Sequence, residues 1–187
     1  MYRAAIEAFV PSCPQEAADK AQILALIAQY PDTILTRENT LAHLTSSAFV
    51  VNQNRDKILM AHHNLYNTWA WLGGHADGDP DLPAVAVREA EEEAGITGLT
   101  ALDGGIHSLD ILAMFGHVKR ENYVTAHLHL SVAYVYIAEE SAPIRARDGE
   151  NTAVRWIPAD RLEEYCPDAH DIRIYRKLLA RAAESIR

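Results

Sequence analysis

Cysteine is scarce: the 187 residues hold two. Cys13 and Cys166 stand far apart and form neither a CxxC pair nor a zinc-type spacing, so isolated, mostly inert thiols are expected rather than a disulfide framework or a cysteine metal centre. Long apolar runs are missing too. None approaches the roughly 20 residues that cross a membrane, and the N-terminus has no basic segment leading into an apolar stretch. Neither insertion nor export is indicated, and the expected location is cytoplasmic. Positive charge is in deficit, with 17 Lys and Arg against 26 Asp and Glu for a formal net charge of -9. That balance opposes broad electrostatic binding to nucleic acid. A phosphate-bearing substrate would therefore need local cations, from a metal or from particular Arg and Lys side chains. Internal repeats and low-complexity tracts are likewise absent.

What remains is ordinary globular material, 49% hydrophobic and 23% charged, in a chain long enough to bury a full core. Gln15 to Tyr30 carries Ala18, Ala21, Ile23, Leu24, Leu26 and Ile27 at helical spacing between Pro14 and Pro31. Residues 1–40 therefore read as a helical extension, either a cover for the domain or half of a homodimer contact. Arg37, in the link that follows, is either a phosphate contact or an ordinary surface arginine. His43 to Val51 and Lys57 to His62 read as strands around the polar turn Asn52 to Asp56. Trp69 to Leu72 is extended, which puts Trp69 and Trp71 on one face, to stack on a base or to pack beneath the next loop. Ser108 to His117 and Thr125 to Ala138 read as strands. The second alternates so that His127 and His129 share a face, where they line a cleft or hold a hydrogen-bonded structural position; a third ligand for a zinc site is not evident. Val154 to Ile157 is a short strand, Pro158 to Glu164 turns into a helix, and Asp171 to Ile186 is a patterned helix.

The most informative stretch runs from Gly73 to Ile96: a glycine loop, an acidic turn and a short helix. Asp81 is placed to cap that helix, Pro83 suits its first turn and Gly95 its end. At about 100° per residue, Glu89, Glu92 and Glu93 fall within an arc of roughly 100°, with Val87, Ala90 and Ala94 expected opposite. Like charges at such spacing repel, and a bound cation reverses the sign; hard divalent cations take carboxylates together with waters and substrate phosphates. Arg88, four residues before Glu92, is expected to orient that carboxylate.

Gly74, then Arg88-Glu89-Ala90-Glu91-Glu92-Glu93-Ala94-Gly95-Ile96, resembles the Nudix box, Gly-x5-Glu-x7-Arg-Glu-U-x-Glu-Glu-x-Gly-U with U apolar. Every specified position from Arg88 onward matches, and one departs, Pro80 standing where the pattern has Glu. An aromatic shortly before the Gly-Gly pair and a late strand ending in an aromatic are also similar to that family, so the likeness covers about residues 41–187. The resemblance implies an α/β/α sandwich around a mixed β-sheet, and hydrolysis of a nucleoside diphosphate linked to another moiety. It implies Mg²⁺ or Mn²⁺ on Glu89, Glu92 and Glu93, with a carboxylate taking the proton of the attacking water. Such a family often draws a further carboxylate from late in the domain. Glu150 is the candidate here, as ligand or base, with Asp148 and Glu121 as rivals. Trp71, Gly74, His75, His127 and His129 are the candidate substrate contacts. The competing functions are a non-catalytic nucleotide-binding module, an isopentenyl-diphosphate-isomerase-like enzyme, which needs a catalytic cysteine, and an RNA-directed pyrophosphohydrolase, which the acidic charge disfavours.

Overall fold

The structure, a computed structural model, describes residues 2–64, 67–119 and 121–184. Helices α1 (Tyr2–Ala8) and α2 (Pro14–Gln29) come first, and Pro14 sits in the first turn of α2, where its missing N–H costs nothing. Strands β1 (Ala42–Asn52), β2 (Lys57–His63), β3 (Thr68–Ala70) and β4 (Leu72–His75) lead to α3 (Leu82–Ala94). Then follow β5 (Thr100–Ala101), β6 (Ser108–Met114), β7 (His117–Lys119), β8 (Asn122–Val124), β9 (His127–Ala138) and β10 (Asn151–Pro158). A 3-10 turn, Ala159–Arg161, joins β10 to α4 (Leu162–Tyr165) and α5 (Ala169–Glu184).

The main sheet runs β10-β2-β1-β9-β5, with β3 on β2, β4 on β1 and β6 on β9. Its centre is the parallel pair β1 and β9, joined in register from Ala42 opposite Leu128 to Asn52 opposite Ala138, while its other pairs are antiparallel. Burial on both faces explains why β1 is buried along its whole length. On one face Leu44, Ala48 and Val50 of β1 meet Leu130 and Val132 of β9, Leu82, Ala86 and Ala90 of α3, and Ile23 and Ile27 of α2. On the other, Phe49 and Val51 meet Ala133 and Val135 and are covered by Ile174, Tyr175 and Leu178 of α5. The expected α/β/α sandwich around a mixed sheet is what the chain forms.

Several element boundaries differ from the expected ones; β9 begins at His127 rather than Thr125 and α5 at Ala169 rather than Asp171. The extended segment at Trp69 is divided at Trp71, because β3 pairs with β2 and β4 with β1. The strand beginning at Ser108 stops at Met114, and β7 and β8 form a separate hairpin. The last strand begins earlier than Val154, at Asn151, through a register shift between Asn151 and Ala153 against β2. The last helix is described to Glu184, and Ile186 of its expected span lies outside the described residues.

The N-terminal segment is tied in by a buried charge cluster. Glu16 of α2 is 0% exposed and accepts from Arg181 of α5 at 2.9 and 2.7 Å and from the Ser12 N–H at 2.8 Å, with Lys177 at 3.1 Å. Burial alone would raise its pKa, but the Arg181, Ser12 and Lys177 contacts outweigh it and hold the carboxyl at about 2. Lys177 also reaches Asp110 of β6 at 2.8 Å, so one cluster joins α2, β6 and α5. Among the described residues no helix is long and apolar enough to cross a membrane.

Candidate active site

Local sequence builds α3 as expected. The Asp81 side chain accepts from the Ala84 N–H at 3.3 Å, and Gly95 closes the helix in the left-handed conformation, φ 64°, donating to Glu91 O. Around the helix the faces are less cleanly divided than the pattern suggests. Glu93 is only 9% exposed. It lies three residues, about 60° of rotation, from fully buried Ala90, so it sits at the edge of the core rather than opposite the apolar face. Glu89 is half-buried and Glu92 exposed, and the three carboxylates thus descend from surface to core.

The glycine pair sets their approach. The Gly73 N–H donates to Glu93 Oε2 at 2.9 Å, and a Cβ there would meet Ser46 O at 2.6 Å. A Cβ on Gly74 would collide with the Glu89 carboxylate. Burial, opposed by that Gly73 N–H and reinforced by the charges of Glu89 and Glu150, pushes Glu93 up to about 8. Burial and then Glu92 raise Glu89 as well.

Arg147 lies beside these carboxylates, 2.9 Å from Glu92 Oε2 and 3.0 Å from Glu150 Oε2. Its loop is docked on the end of α3 by the Arg145 N–H, which donates to Ala94 O at 2.7 Å. Glu150 is held by its carbonyl, which accepts from the Asn64 N–H at 3.0 Å. The structure thus brings Glu150 to Glu89, Glu92 and Glu93. Arg147 was not legible in sequence, since nothing local links it to a helix so far upstream.

Arg88 does something other than expected. It donates to Asp79 Oδ2 at 3.1 Å; the Asp81 N–H, which donates to Asp79 Oδ1 at 2.9 Å, and then Arg88 hold Asp79 below the usual carboxylate range. Asp79 precedes Pro80, so a neighbouring carboxylate engages Arg88 where the box pattern has Glu. Arg37 forms a two-pronged ion pair with Asp77, both contacts at 2.8 Å.

The remaining candidates gather on the sheet face opposite α3. Trp71 packs on Tyr175 of α5, ring centroids 5.6 Å apart. His129 pairs with His43 in the β1–β9 register, and His75 opposes Thr45 two residues further along β1. Side chains two apart in a strand share a face, so His43, His75, His127 and His129 meet, with ring centroids 4.9 to 5.1 Å apart. His43, which the sequence reading passed over as the opening of a strand, is therefore a partner for the two histidines of β9. Burial, then His75, His43 and His127, depress His129 to about 2. Asp148 and Glu121 stay in exposed turns, and none of the expected site residues lines the cavity of about 760 Å³ bordered by Tyr2, Phe9, Pro83 and His107.

A mixed sheet thus carries an acidic helix against a glycine pair, with Glu150 brought to the carboxylates of that helix. The NUDIX domain family model matches residues 42–180, and the chain belongs to that family of hydrolases. Among solved structures it is similar to an Ap4A hydrolase from C. elegans in a binary complex: TM-score 0.57, 17% identity, 75% of this chain and 98% of that one covered. It is similar also to the E. coli dihydroneopterin triphosphate pyrophosphohydrolase (0.55, 16%, 74% and 95%) and to a NUDIX-family hydrolase from Clostridium perfringens (0.51, 22%, 74% and 96%). At these identities the likeness is one of fold. No curated protein matches the chain in sequence.

Proposed function

We propose that this chain hydrolyses a phosphoanhydride bond in a nucleoside diphosphate linked to another moiety, with Mg²⁺ or Mn²⁺ as cofactor. One observation carries the reading: four carboxylates gather about the end of α3, two of them raised in pKa by burial first and then by neighbouring carboxylates, while the Arg147 guanidinium pairs with only Glu92 and Glu150. Such a donor set is electrostatically unbalanced, and all-oxygen ligation suits a hard divalent cation. Glu89, Glu92 and Glu93 would hold it, and Glu150 would complete the set as ligand or as base. Once bound, the cation polarises phosphoryl oxygens and lowers the pKa of water. A carboxylate left free of it accepts the proton of the attacking water, while the Gly73 N–H keeps Glu93 in place.

Trp71, His75, His127 and His129 would contact the substrate from the far side of the glycine strand, where Gly74 keeps the backbone close to Glu89. The substrate is a small nucleotide-type molecule in the cytoplasm, and residues 1–40 serve as a cover or a homodimer contact. The isomerase alternative loses support at Cys166. Its thiol is buried, donates to Trp69 O at 2.9 Å and is pushed up to about 12 by burial, which makes it a poor nucleophile or acid.

The test is a panel of dinucleotides, sugar nucleotides and nucleoside triphosphates, with and without Mg²⁺ or Mn²⁺, on the protein and on Glu93→Gln and Glu150→Gln. Cation-dependent phosphate release, lost in Glu93→Gln, is expected. Undiminished turnover in Glu93→Gln at saturating metal overturns the reading. In Glu150→Gln, loss of rate at unchanged metal affinity identifies a base, and loss of both identifies a ligand.

A further inference from the structure

We infer that His43, His75 and His129 form a second metal site, for an imidazole-seeking dication of the Zn²⁺ type, on the sheet face opposite the box carboxylates. One ring nitrogen from each of these three residues lies within 4.8 Å of the other two. Four-coordinate zinc with Zn–N bonds of about 2.0–2.1 Å needs nitrogens about 3.3 Å apart, so rotation of partly exposed rings closes the set without moving the strands.

The independent observation is at His43. Its side chain is 4% exposed, and its Nε2 is buried without a hydrogen-bond partner. Its Nδ1 lies 3.0 Å from Asn39 O. A carbonyl only accepts, so Nδ1 carries the hydrogen and the lone pair is on Nε2, in a ring whose centroid lies 4.9 to 5.1 Å from those of His75, His127 and His129. This is how a metal-binding histidine is normally oriented, with its far nitrogen donating to a backbone carbonyl. Asn39 is itself fixed, since its side-chain oxygen accepts from the Leu41 and Ala42 N–H groups, each at 3.2 Å.

His127 supports the set from outside. Its Nδ1 lies 2.8 Å from Thr125 O, and its Nε2 lies 3.1 Å from His129 Nε2. The first contact leaves the Nε2 lone pair of His127 free to accept from His129, which orients the ring of His129.

The donor set selects the ion. Neutral imidazoles without a carboxylate suit Zn²⁺, Cu²⁺ or Ni²⁺ and are poor ligands for Mg²⁺, whereas the carboxylates on α3 have the reverse preference. Three protein ligands leave one position for water or for an anionic oxygen. Gly74 and His75 are consecutive in β4, the first against Glu89 and the second among the imidazoles, so an anion bound through that position approaches the strand that supports the carboxylates.

The experiment is titration of chelator-treated full-length protein with Co²⁺, a spectroscopic probe of nitrogen-ligated tetrahedral sites, with Mg²⁺ in excess to occupy the carboxylates, followed by displacement with Zn²⁺. One equivalent with an intense visible absorption is expected. It should weaken about 100-fold or more in His43→Ala and in His75→Ala, and persist in Glu89→Gln. The second histidine variant, in a less buried position, covers the case in which the first does not fold. Absence of the band from the unaltered protein overturns the inference, as does its retention in folded histidine variants or its loss in Glu89→Gln alone. Because no hydrolysis is measured, failure here leaves the proposed activity standing, and the converse holds.

Discussion

Glu92 and Glu150 meet on one guanidinium: Arg147 Nη1 lies 2.9 Å from the first and 3.0 Å from the second. All three side chains are partly exposed, so the pairs by themselves contribute little, up to about 1 kcal/mol each. Their effect is to hold a late loop against the box helix and to offset part of the repulsion among four carboxylates.

Arg147→Gln should therefore lower the melting temperature of the metal-free protein modestly and enlarge the rise that Mg²⁺ produces, because the cation then relieves a less compensated cluster. Differential scanning calorimetry with chelator and with Mg²⁺ checks this. An unchanged metal-induced rise would show that Arg147 does not share the carboxylates with the ion.

Glu93 should make the metal-free protein less stable as pH rises. Its folded pKa is about 8 against 4.5 for the free side chain, so the folded state keeps a proton that the unfolded state gives up. The stability from this group is complete below about pH 4.5 and is lost as pH climbs towards and through 8. Melting temperatures across that window should fall in the unaltered protein in chelator and fall less in Glu93→Gln. Glu89, also raised, leaves a residual slope. Added Mg²⁺ should flatten the profile, since it binds the deprotonated form.

Glu16 has the opposite sign. Held at about 2, it contributes stability above pH 4.5 that is lost as pH falls from 4.5 through 2. Glu16→Ala leaves Arg181, 17% exposed, without its buried partner, while Lys177, 14% exposed, keeps Asp110, and should cost about 3–5 kcal/mol. Urea unfolding at pH 7 measures that loss. A loss below about 1 kcal/mol, the usual range of exposed pairs, would show that the N-terminal segment is held by apolar contacts alone.

Gly73 and Gly74 should separate stability from activity. In Gly73→Ala the added carbon meets β1 backbone, Ser46 O at 2.6 Å and Ser47 Cα at 2.7 Å, and φ is 155°, so the melting temperature should drop strongly. In Gly74→Ala the obstacle is the end of the Glu89 side chain, which can swing away. The fold should survive while Mg²⁺-dependent turnover falls by roughly 10- to 100-fold, the range seen when groups supporting a metal site are lost. Full activity in Gly74→Ala would remove Glu89 from the site.

The box helix and the strand β9 could be read from sequence because their signals are local: a capping Asp81, a closing Gly95, and an alternation that needs only the two-residue period of a strand. Arg88 was misplaced for a related reason. Helical spacing offers it Glu92, but the loop before the helix curls back and presents Asp79. Glu93 shows the limit of periodicity, since a residue at the seam of a helix is buried or exposed according to what packs there. In this chain the Gly73 backbone does. Arg147 and His43 lay beyond sequence reasoning altogether. Arg147 reaches Glu92 because a loop docks on Ala94, and His43 reaches His129 because β1 and β9 pair in parallel in one register. The sequence by itself determined the kinds of element and the chemistry of the box. Which distant side chains share a cation or meet across a strand was decided only in the tertiary structure, because pairing register and loop docking are set by the packing of both sheet faces and not by any short stretch of chain.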